Sequence, residues 1–481
     1  MVYVGSNNGF LHAFDGVTGA EKFAFMPLGS AREGRLPNLV DKDYGHKYFV
    51  DGHLHEHDVN FTGQANGWRT VLVGGLGAGG KSVFALDVTD GASAFDVSKI
   101  LWEFSDVDMG FTFGEPAVGR LKNGKWAAIF GNGYGTKADG TLLDSVLYVV
   151  DLQTGAQIDK VVLAKNTGGL SSPGFLYTVP SRNNPIAVDK IFAGDRSGNL
   201  WQLNGKNNGT FASEFTSSGS TNLPLFTAIA GGVRQPITTR PIMAVHPEEP
   251  GTHMVYFGTG SFSELADVNK RVQSVYGIWT QGTAGRTANK PLRITARTSL
   301  QEIKITSESS SATMSDARIV EERDSIDWDT KAGWYMDLLT RGTLAEGERV
   351  LTTMEFISGT LFVNTFLPNE DPCLQSDQGW MMAFNPATGS RPKQPVFDYN
   401  GDGKVDQSDN FGSDGKTIGS GIRDDRMLRI RGLMFARMPV LGCDPSVQDC
   451  ELEVRCNYNG IPVNCPNYRD KRMSWEQIHA E

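Results

Sequence analysis

The chain is written in short apolar runs separated by polar turns. "MVYVG" is followed by the polar "SNN", then by "GFLHAFDG", a Thr-Gly pair and the aromatic run "EKFAF". Apolar and polar positions alternate within such runs, the period of a strand with one face turned to a core. The same unit returns in "TVLVGGLGAGGKSVFALDVTDG", "AAIFGNGYGTKADGTLLDSVLYVVDLQTGAQIDKVVL", "KIFAGDRSGNLWQLNG", "MVYFGTGSF" with "SVYGIWT", and "TLFVNTFLPNEDPCLQSDQGWMMAFNPATGSRP". Its common core is an apolar strand, a glycine, a polar turn, a second apolar strand, and an Asp or Asn ahead of Thr-Gly. Asp15 precedes Thr18-Gly19, Asp151 precedes Thr154-Gly155, and Asn385 precedes Thr388-Gly389. Asp and Asn close such turns by accepting from backbone amides two residues on, and the glycine takes the left-handed position.

Repeats of this kind predict an all-β fold, a β-propeller of about seven irregular blades with inserted loops. The units span approximately 1–27, 68–104, 115–163, 172–216, 226–305 and 333–396, with a partial unit from 425. One blade cannot bury both faces of its sheet; its neighbours must cover it, and a closed ring leaves no long free edge. Residues 1–481 therefore read as a single domain. The first unit is a strand short, and "RIRGLMFARMPVL" at 429–441 is expected to pair into it and close the ring. The Ser-rich stretch 305–329 is expected to be an exposed polar insertion. A chain that opens in mid-strand, without a basic and apolar leader, suggests a piece of a longer protein or a truncated gene.

Composition narrows the function. Fifty-six glycines among 481 residues fit many tight turns between short strands. A formal net charge of −10 argues against nucleic acid or an anionic membrane as partner. No apolar run approaches the roughly 18 residues of a membrane-spanning helix. Of five cysteines, Cys373 stands alone and Cys443, Cys450, Cys456 and Cys465 cluster within 442–470. Without a C-x2-C knuckle a zinc site fits poorly, so two disulfides in an oxidising compartment are expected, their pairing open.

"FDYNGDGKVDQSDNFG", 397–412, crowds acidic side chains that repel one another unless something neutralises them. Counted from Asp398 as the first position, Asn400 is third, Asp402 fifth, Gly403 sixth, Lys404 seventh, Asp406 ninth and Asp409 twelfth. This is the spacing of the EF-hand calcium loop. Calcium takes six to eight hard oxygens, which alternate side chains supply as the chain coils round the ion. Gly403 permits the sharp turn and Lys404 offers its carbonyl. Asp406 binds directly or through water, and Asp409 stands where a bidentate Glu is usual, as in the dockerin variety. Magnesium, which keeps its waters, is the weaker rival. No helical pattern precedes Asp398, so this is a lone loop in a β-fold.

Other motifs carry less. His53, His55 and His57 alternate, which would put three imidazoles on one strand face, yet the run reads more readily as an exposed edge than as a metal site. "GLGAGGKS" at 75–82 satisfies the phosphate-loop spacing, but strand-like "VFALDVT" follows where a helix is required, so it reads as a glycine-rich hairpin. There is no G-x-S-x-G elbow and no recognisable catalytic histidine frame.

The Asp-x-x-Thr-Gly turns resemble quinoprotein-type propeller repeats, but the vicinal cysteine pair typical of quinoprotein dehydrogenases is missing. "NNGFLHAFDGVTGAEKFAFMP", "WRTVLVGGLGAGGKSVFALDVT", "IFAGDRSGNLWQLNG", "VYFGTGSF" with "SVYGIWT", "KAGWYMDL" with "GERVLT", and "RMSWEQI" follow one another in an order that resembles the C-terminal propeller of the PilY/PilC-type family of type IV pilus biogenesis factors and tip adhesins. The resemblance runs nearly end to end. It implies a non-enzymatic protein, secreted or on the surface of a Gram-negative bacterium, at the pilus tip or outer membrane. Minor pilins are the implied partners, with host or abiotic surfaces as attachment targets. The implied role is to promote pilus extension against retraction, twitching motility and attachment. The resemblance also implies calcium as the switch, held by Asp398, Asn400, Asp402, the Lys404 carbonyl and Asp406, with Asp409 resting on the dockerin-like spacing. The family's variable N-terminal region is missing, and Arg341-Gly342-Thr343 stands in place of an integrin-binding Arg-Gly-Asp. The alternatives are a quinoprotein-like periplasmic dehydrogenase and a generic propeller interaction module stapled by calcium.

Overall fold

A computed structural model describes residues 1–424, apart from 33–35, 41, 92–94, 180–185, 264–266, 282–291, 310–313, 358, 369–378 and 412–414, and beyond them the strand backbones at 433–439, 452–458 and 461–463. Among the described residues, six larger antiparallel or mixed sheets follow one another along the chain, beside two two-stranded ribbons, Phe215–Thr216 with Asn222–Leu223 and Ile229–Ala230 with Val233–Arg234, and a three-stranded sheet from Leu433. The first has the three strands Val2–Gly5, Leu11–Phe14 and Glu21–Phe25. The second is Leu54–Asn60, Trp68–Gly75, Val83–Asp87 and Ile100–Phe104. The third is Ala117–Arg120, Trp126–Gly131, Ser145–Asp151 and Gln157–Ala164. The fourth runs Gly174–Tyr177, Val188–Gly194, Asn199–Gly205 and Phe211–Ser213, with Phe226–Thr227 added on Asn199–Gly205. Ile242–Val245, His253–Gly258, Ser274–Trp279 and Gly333–Asp337 make the fifth, to which Gln301–Ile303 adds in parallel. The sixth is Glu355–Ile357, Thr360–Asn364, Gly379–Phe384, Gly421–Asp424, Ala317–Val320 and Ile305–Ser309.

The apolar clusters lie between consecutive sheets, as radial blades require. Leu11 and Phe25 pack with Leu72 and Phe84 between the first two. Val73 and Ala85 meet Val118, Ala128 and Val150 between the second and third. Ile129 and Val149 meet Ile191 and Leu203 next, then Phe192 and Leu200 meet Phe257 and Tyr276. Met254, Trp279 and Trp334 meet Leu361, Val363 and Met382 between the fifth and sixth. The strand period of two explains the sixth sheet: Leu361 and Val363 face the fifth, while Phe362, Met381 and Ala383 face away and are covered by Phe397, Tyr399 and Phe411. The acidic loop thus begins on the far face of the last sheet.

The Thr-Gly turns form as the pattern predicts. Asp15 Oδ1 accepts from the amides of Val17 and Thr18 at 3.0 and 2.9 Å, and Asp151 Oδ1 from Gln153 and Thr154, both at 3.1 Å. The structure adds a second use for this turn. Trp102 of the second sheet donates its indole N–H to the Leu152 carbonyl at 2.8 Å, and Trp334 of the fifth donates to Pro386 at 2.9 Å. Gly155 (φ 73°) and Gly389 (φ 69°) lie against these rings, where a Cβ would stand 2.6 Å from Trp102 Cβ and 2.4 Å from Trp334 Cδ2. Each glycine therefore makes the left-handed bend and lets the neighbouring blade's tryptophan close over it.

Two expectations are corrected. Within 305–329, Ile305–Ser309 and Ala317–Val320 are strands of the sixth sheet, and Arg318 is fully buried. The stretch looked exposed because its inward-facing members include charged residues that neutralise one another there. Within 429–441, Leu433–Pro439 pairs antiparallel with Leu452–Tyr458, which continues to Ile461–Val463, rather than with the first sheet. Pairing with a strand a short loop away costs less closure entropy than pairing with one at the other end of the chain. "GLGAGGKS" does join two antiparallel strands, Trp68–Gly75 and Val83–Asp87. Cys373, Cys443, Cys450 and Cys465 lie outside the described residues, as does the side chain of Cys456, so the disulfide expectation falls there too. No helix among the described residues is long and apolar enough to cross a membrane.

Asp195, at the hairpin of the fourth sheet, is fully buried and accepts from the Asn199 amide and side chain and from the Trp201 indole, each at 2.9 Å, and from Ser145 at 3.2 Å. Burial, the largest influence, raises its carboxyl above the usual carboxylate value despite the bonds from Asn199, Trp201 and Ser145. The folded state then holds this proton more tightly than the unfolded one. Its contribution to stability falls as pH rises from about 3.9 through the raised value. Asp195→Asn turns a donor toward these donors and is expected to cost about 3 kcal/mol. Urea denaturation at a series of pH values should show the wild-type advantage largest at the acid end and shrinking toward neutrality.

Candidate metal loop

The loop is built from its aromatic roots outward. Phe397 and Tyr399 are buried on either side of Asp398 and anchor the strand-like entry. The Tyr399 hydroxyl donates to the Gly421 carbonyl at 3.0 Å, tying the loop to the sixth sheet. Burial, then the nearby Asp409 charge, pushes that hydroxyl well above its ordinary pKa, so it stays a donor.

From there the chain coils around its own carboxylates. Asp398, 6% exposed, accepts from the Gly401 amide at 2.7 Å and the Gly403 amide at 2.9 Å, one on each oxygen. Gly401 and Gly403 carry φ of 74° and 83°, the bends the motif asks of glycine. Asn400 Oδ1 accepts from the Asp402 amide at 2.9 Å, and Asp402 Oδ1 from the Lys404 amide at 2.8 Å. Asp406 caps the short 3₁₀ turn Gln407–Asp409 by accepting from Ser408 at 2.8 Å. That bond holds its carboxyl below the ordinary range.

Asp409 is the hub. It is 1% exposed, and its Oδ1 accepts from the amides of Tyr399 at 2.7 Å and Asn400 at 3.2 Å, while Oδ2 accepts from Asp406 at 3.0 Å. Burial raises its carboxyl above the ordinary range, against the pull of the three amides, and the charge on Asp398 adds to the rise. The twelfth position thus fastens both ends of the loop, a role that spacing alone did not disclose.

The six sequence-predicted residues are therefore partly assembled. Asp398 and Asp409 are buried and close enough to repel, whereas Asp402, Lys404 and Asp406 are on the exposed side. Among the described residues, no three Asp, Glu, His or Cys side chains stand close enough together to hold an ion. The donor set itself suits a hard cation, all oxygen with several carboxylates. Each carboxylate offers about four lone-pair sites, so an oxygen engaged with an amide can still accept a cation. The residues fit the ion in kind and in the coiling of the chain; Asp402 and Asp406 have to turn inward to complete a shell.

The histidine run forms the strand Leu54–Asn60. His55 and His57 stack at 5.8 Å, and His55 Nδ1 lies 3.4 Å from Glu115 Oε1.

The profile described as the PilY1 beta-propeller domain matches residues 1–318. A type IV pilus biogenesis factor PilY1 of Pseudomonas aeruginosa strain PAO1 is 38% identical over 445 residues, covering 85% of this chain and 36% of that protein. A PilY1 homolog of Xylella fastidiosa is 37% identical over 405 residues, 83% of this chain and 30% of the other. The chain thus spans about a third of the length of these curated relatives. The crystal structure of the Pseudomonas aeruginosa PilY1 C-terminal domain is similar with a TM-score of 0.72 and 31% identity, over 96% of this chain and 92% of that one.

Proposed function

Because this chain belongs to the PilY1 family and carries its β-propeller domain, we propose that it acts in type IV pilus biogenesis as the propeller of a surface-exposed pilus-tip protein. In this reading it contacts minor pilins, favours extension over retraction, and supports twitching motility and attachment. The single observation that carries the reading is likeness to the PilY1 C-terminal domain across nearly the whole chain.

Calcium is the proposed regulator. Asp398 and Asp409 form the preset half of the site, and Asn400, Asp402, the Lys404 carbonyl and Asp406 close over the ion. Bound calcium offsets the repulsion among the carboxylates and orders 397–410 against the sixth sheet. Support comes from the loop's oxygen-only donor set and from its anchoring by Tyr399 to Gly421.

Calorimetry of the purified chain is the direct test. Calcium at about a hundredfold over its Kd should add about 2.7 kcal/mol to stability. Asp406→Ala should lose most of that increment, and in chelator it should be weaker than wild type only by the lost cap to Ser408, about 1 kcal/mol. Absence of calcium heat would remove the switch. For the pilus role, cells whose own PilY1-type protein carries the Asp406→Ala loop should lose twitching; unchanged pilus number and twitching would reduce calcium to a staple.

A further inference from the structure

Four separate stretches of the chain each bring an arginine to one cleft of about 460 Å³. Arg196 stands on the hairpin between Val188–Gly194 and Asn199–Gly205 of the fourth sheet. Arg234 ends the ribbon of Ile229–Ala230 and Val233–Arg234. Arg271 lies on the connection between His253–Gly258 and Ser274–Trp279 of the fifth sheet, and Arg349 lies ahead of Glu355–Ile357, where the sixth sheet resumes. The cleft is separate from the acidic loop, none of whose residues line it.

Among the described lining residues the one carboxylate is Asp267. Its Oδ2 accepts from the Ser261 hydroxyl at 2.9 Å and the Ser263 amide at 2.8 Å, and Arg196 Nη2 stands 3.9 Å away, at the outer limit of an ion pair. Arg349 is the most buried of the four, 1% exposed. Its guanidinium donates to the carbonyls of Gly347 at 2.8 Å, Ser261 and Asn269 at 2.7 Å, and Asp267. Arg318, buried to the same degree, is met by Glu308 and Glu348; Arg349 pairs with no carboxylate among the described residues. Burial holds the Arg349 guanidinium below its ordinary pKa, opposed by the charge of Asp267. A guanidinium nonetheless stays protonated throughout the physiological range. A buried cation held by carbonyl dipoles alone is a standing positive potential beneath the cleft, and its poorly polarisable surroundings screen it little.

The atoms that can touch a ligand belong to Arg234 and Arg271, both exposed. Arg234 Nη1 donates to the Ser197 carbonyl at 3.0 Å and to Asn199 Oδ1 at 3.2 Å, which fixes its guanidinium at the edge of the cleft. Neither arginine pairs with a carboxylate among the described residues. One exposed arginine is ordinary surface. Four around one concavity, against a single aspartate, leave an excess of three positive charges in a chain whose net charge is −10. A concave wall of one sign concentrates ligands of the other.

We propose that this cleft receives a short acidic segment of a partner protein, two or three neighbouring Asp or Glu side chains, with their carboxylates on Arg234 and Arg271 and in the field of Arg196 and Arg349. Planar carboxylates match the guanidinium fork, and Arg196 already faces one in Asp267. A phosphate ion brings a charge of about −1.5 to −2, less than the excess. A long, uniformly anionic polymer gains at the cleft but is opposed by the acidic remainder of the chain. Negative charge confined to a few neighbouring side chains meets both conditions, and the volume lies within the range of ligand sites, about 300–1,000 Å³.

The test is fluorescence anisotropy of a labelled, end-blocked peptide Gly-Asp-Glu-Asp-Gly on the purified chain, beside its amide twin Gly-Asn-Gln-Asn-Gly. The buffer holds no calcium and no chelator, since common chelators are themselves polycarboxylates. The acidic peptide should bind at least about tenfold tighter than the twin, and less tightly as salt is raised. Arg234→Gln and Arg271→Gln should each weaken it about tenfold, with Arg234→Lys, which keeps the charge and loses the fork, in between. Lys393→Gln, an exposed cation outside the cleft, and Asp402→Ala in the acidic loop should leave binding unchanged. Arg271→Gln alters an exposed side chain and should melt as wild type, so it carries the test even if Arg234→Gln melts low. Equal binding of the twin, undiminished binding to Arg271→Gln, an equal loss in Lys393→Gln, or displacement by phosphate, citrate or a uronic-acid trimer at lower concentration than by unlabelled peptide overturns the proposal.

Discussion

Arg318→Met is expected to destabilise the sixth sheet by about 3–5 kcal/mol, read as a fall in the urea midpoint. The Arg318 side chain is fully buried and meets Glu348, equally buried, through two bonds of 2.6 and 2.8 Å. It also reaches Glu308 at 3.0 and 2.8 Å and lies 4.4 Å over the Trp380 ring. Removing the cation leaves the buried Glu348 and the mostly buried Glu308 without a countercharge, and that uncompensated burial is the main cost. Arg318→Met combined with Glu308→Leu and Glu348→Leu should therefore recover most of the loss. Failure to recover would assign the loss to the Trp380 contact instead. Arg318 pairs with Gly421, whose carbonyl receives the Tyr399 hydroxyl. The single variant should accordingly also reduce hydrogen-exchange protection across 397–411.

Asp409→Ala is the second large effect, and it is expected without any metal. The substitution strips the acceptor from the amides of Tyr399, Asn400 and Asp406 together. At about 1–3 kcal/mol for a buried amide left unmade, and with the Asp406 end open to water, the total comes to about 3 kcal/mol. Asp402→Ala, an exposed change, should stay within about 0.5 kcal/mol in chelator. The two variants separate the loop's scaffold from its proposed ion. Asp409→Ala should melt low with chelator and with calcium, whereas Asp402→Ala should differ from wild type only when calcium is present. Equal melting of both variants with wild type in chelator would show that the amide bonds to Asp409 contribute little.

The contrast among the loop's acids shows how far spacing reaches. Counting from Asp398 locates the turns and the oxygen-bearing side chains, because those depend on residue type at short range. Which carboxylates are buried is another matter. Asp398 and Asp409 are inside because Phe397, Tyr399 and Phe411 insert on the sixth sheet and carry their neighbours with them. Asp402 and Asp406, without such anchors, stay outside.

The chain's own pattern determined the all-β class, the repeated blades, the Asp-x-x-Thr-Gly turns, the hairpin at "GLGAGGKS" and the coiled acidic loop. All of these rest on strand period and turn chemistry, which act over a few residues. Tertiary structure alone decided the rest. It set Arg318 opposite Glu308 and Glu348, making core of a stretch that reads as polar surface. It brought Trp102 and Trp334 over glycines of the following blade. It paired Leu433–Pro439 with a near strand instead of a far one. It also gathered Thr239, Arg240, Thr352 and Asn364, from separate stretches of the chain, around one cavity. Each of these joins residues distant in the chain or chooses among possible partners, and such choices are settled by packing and loop closure, which local periodicity does not encode.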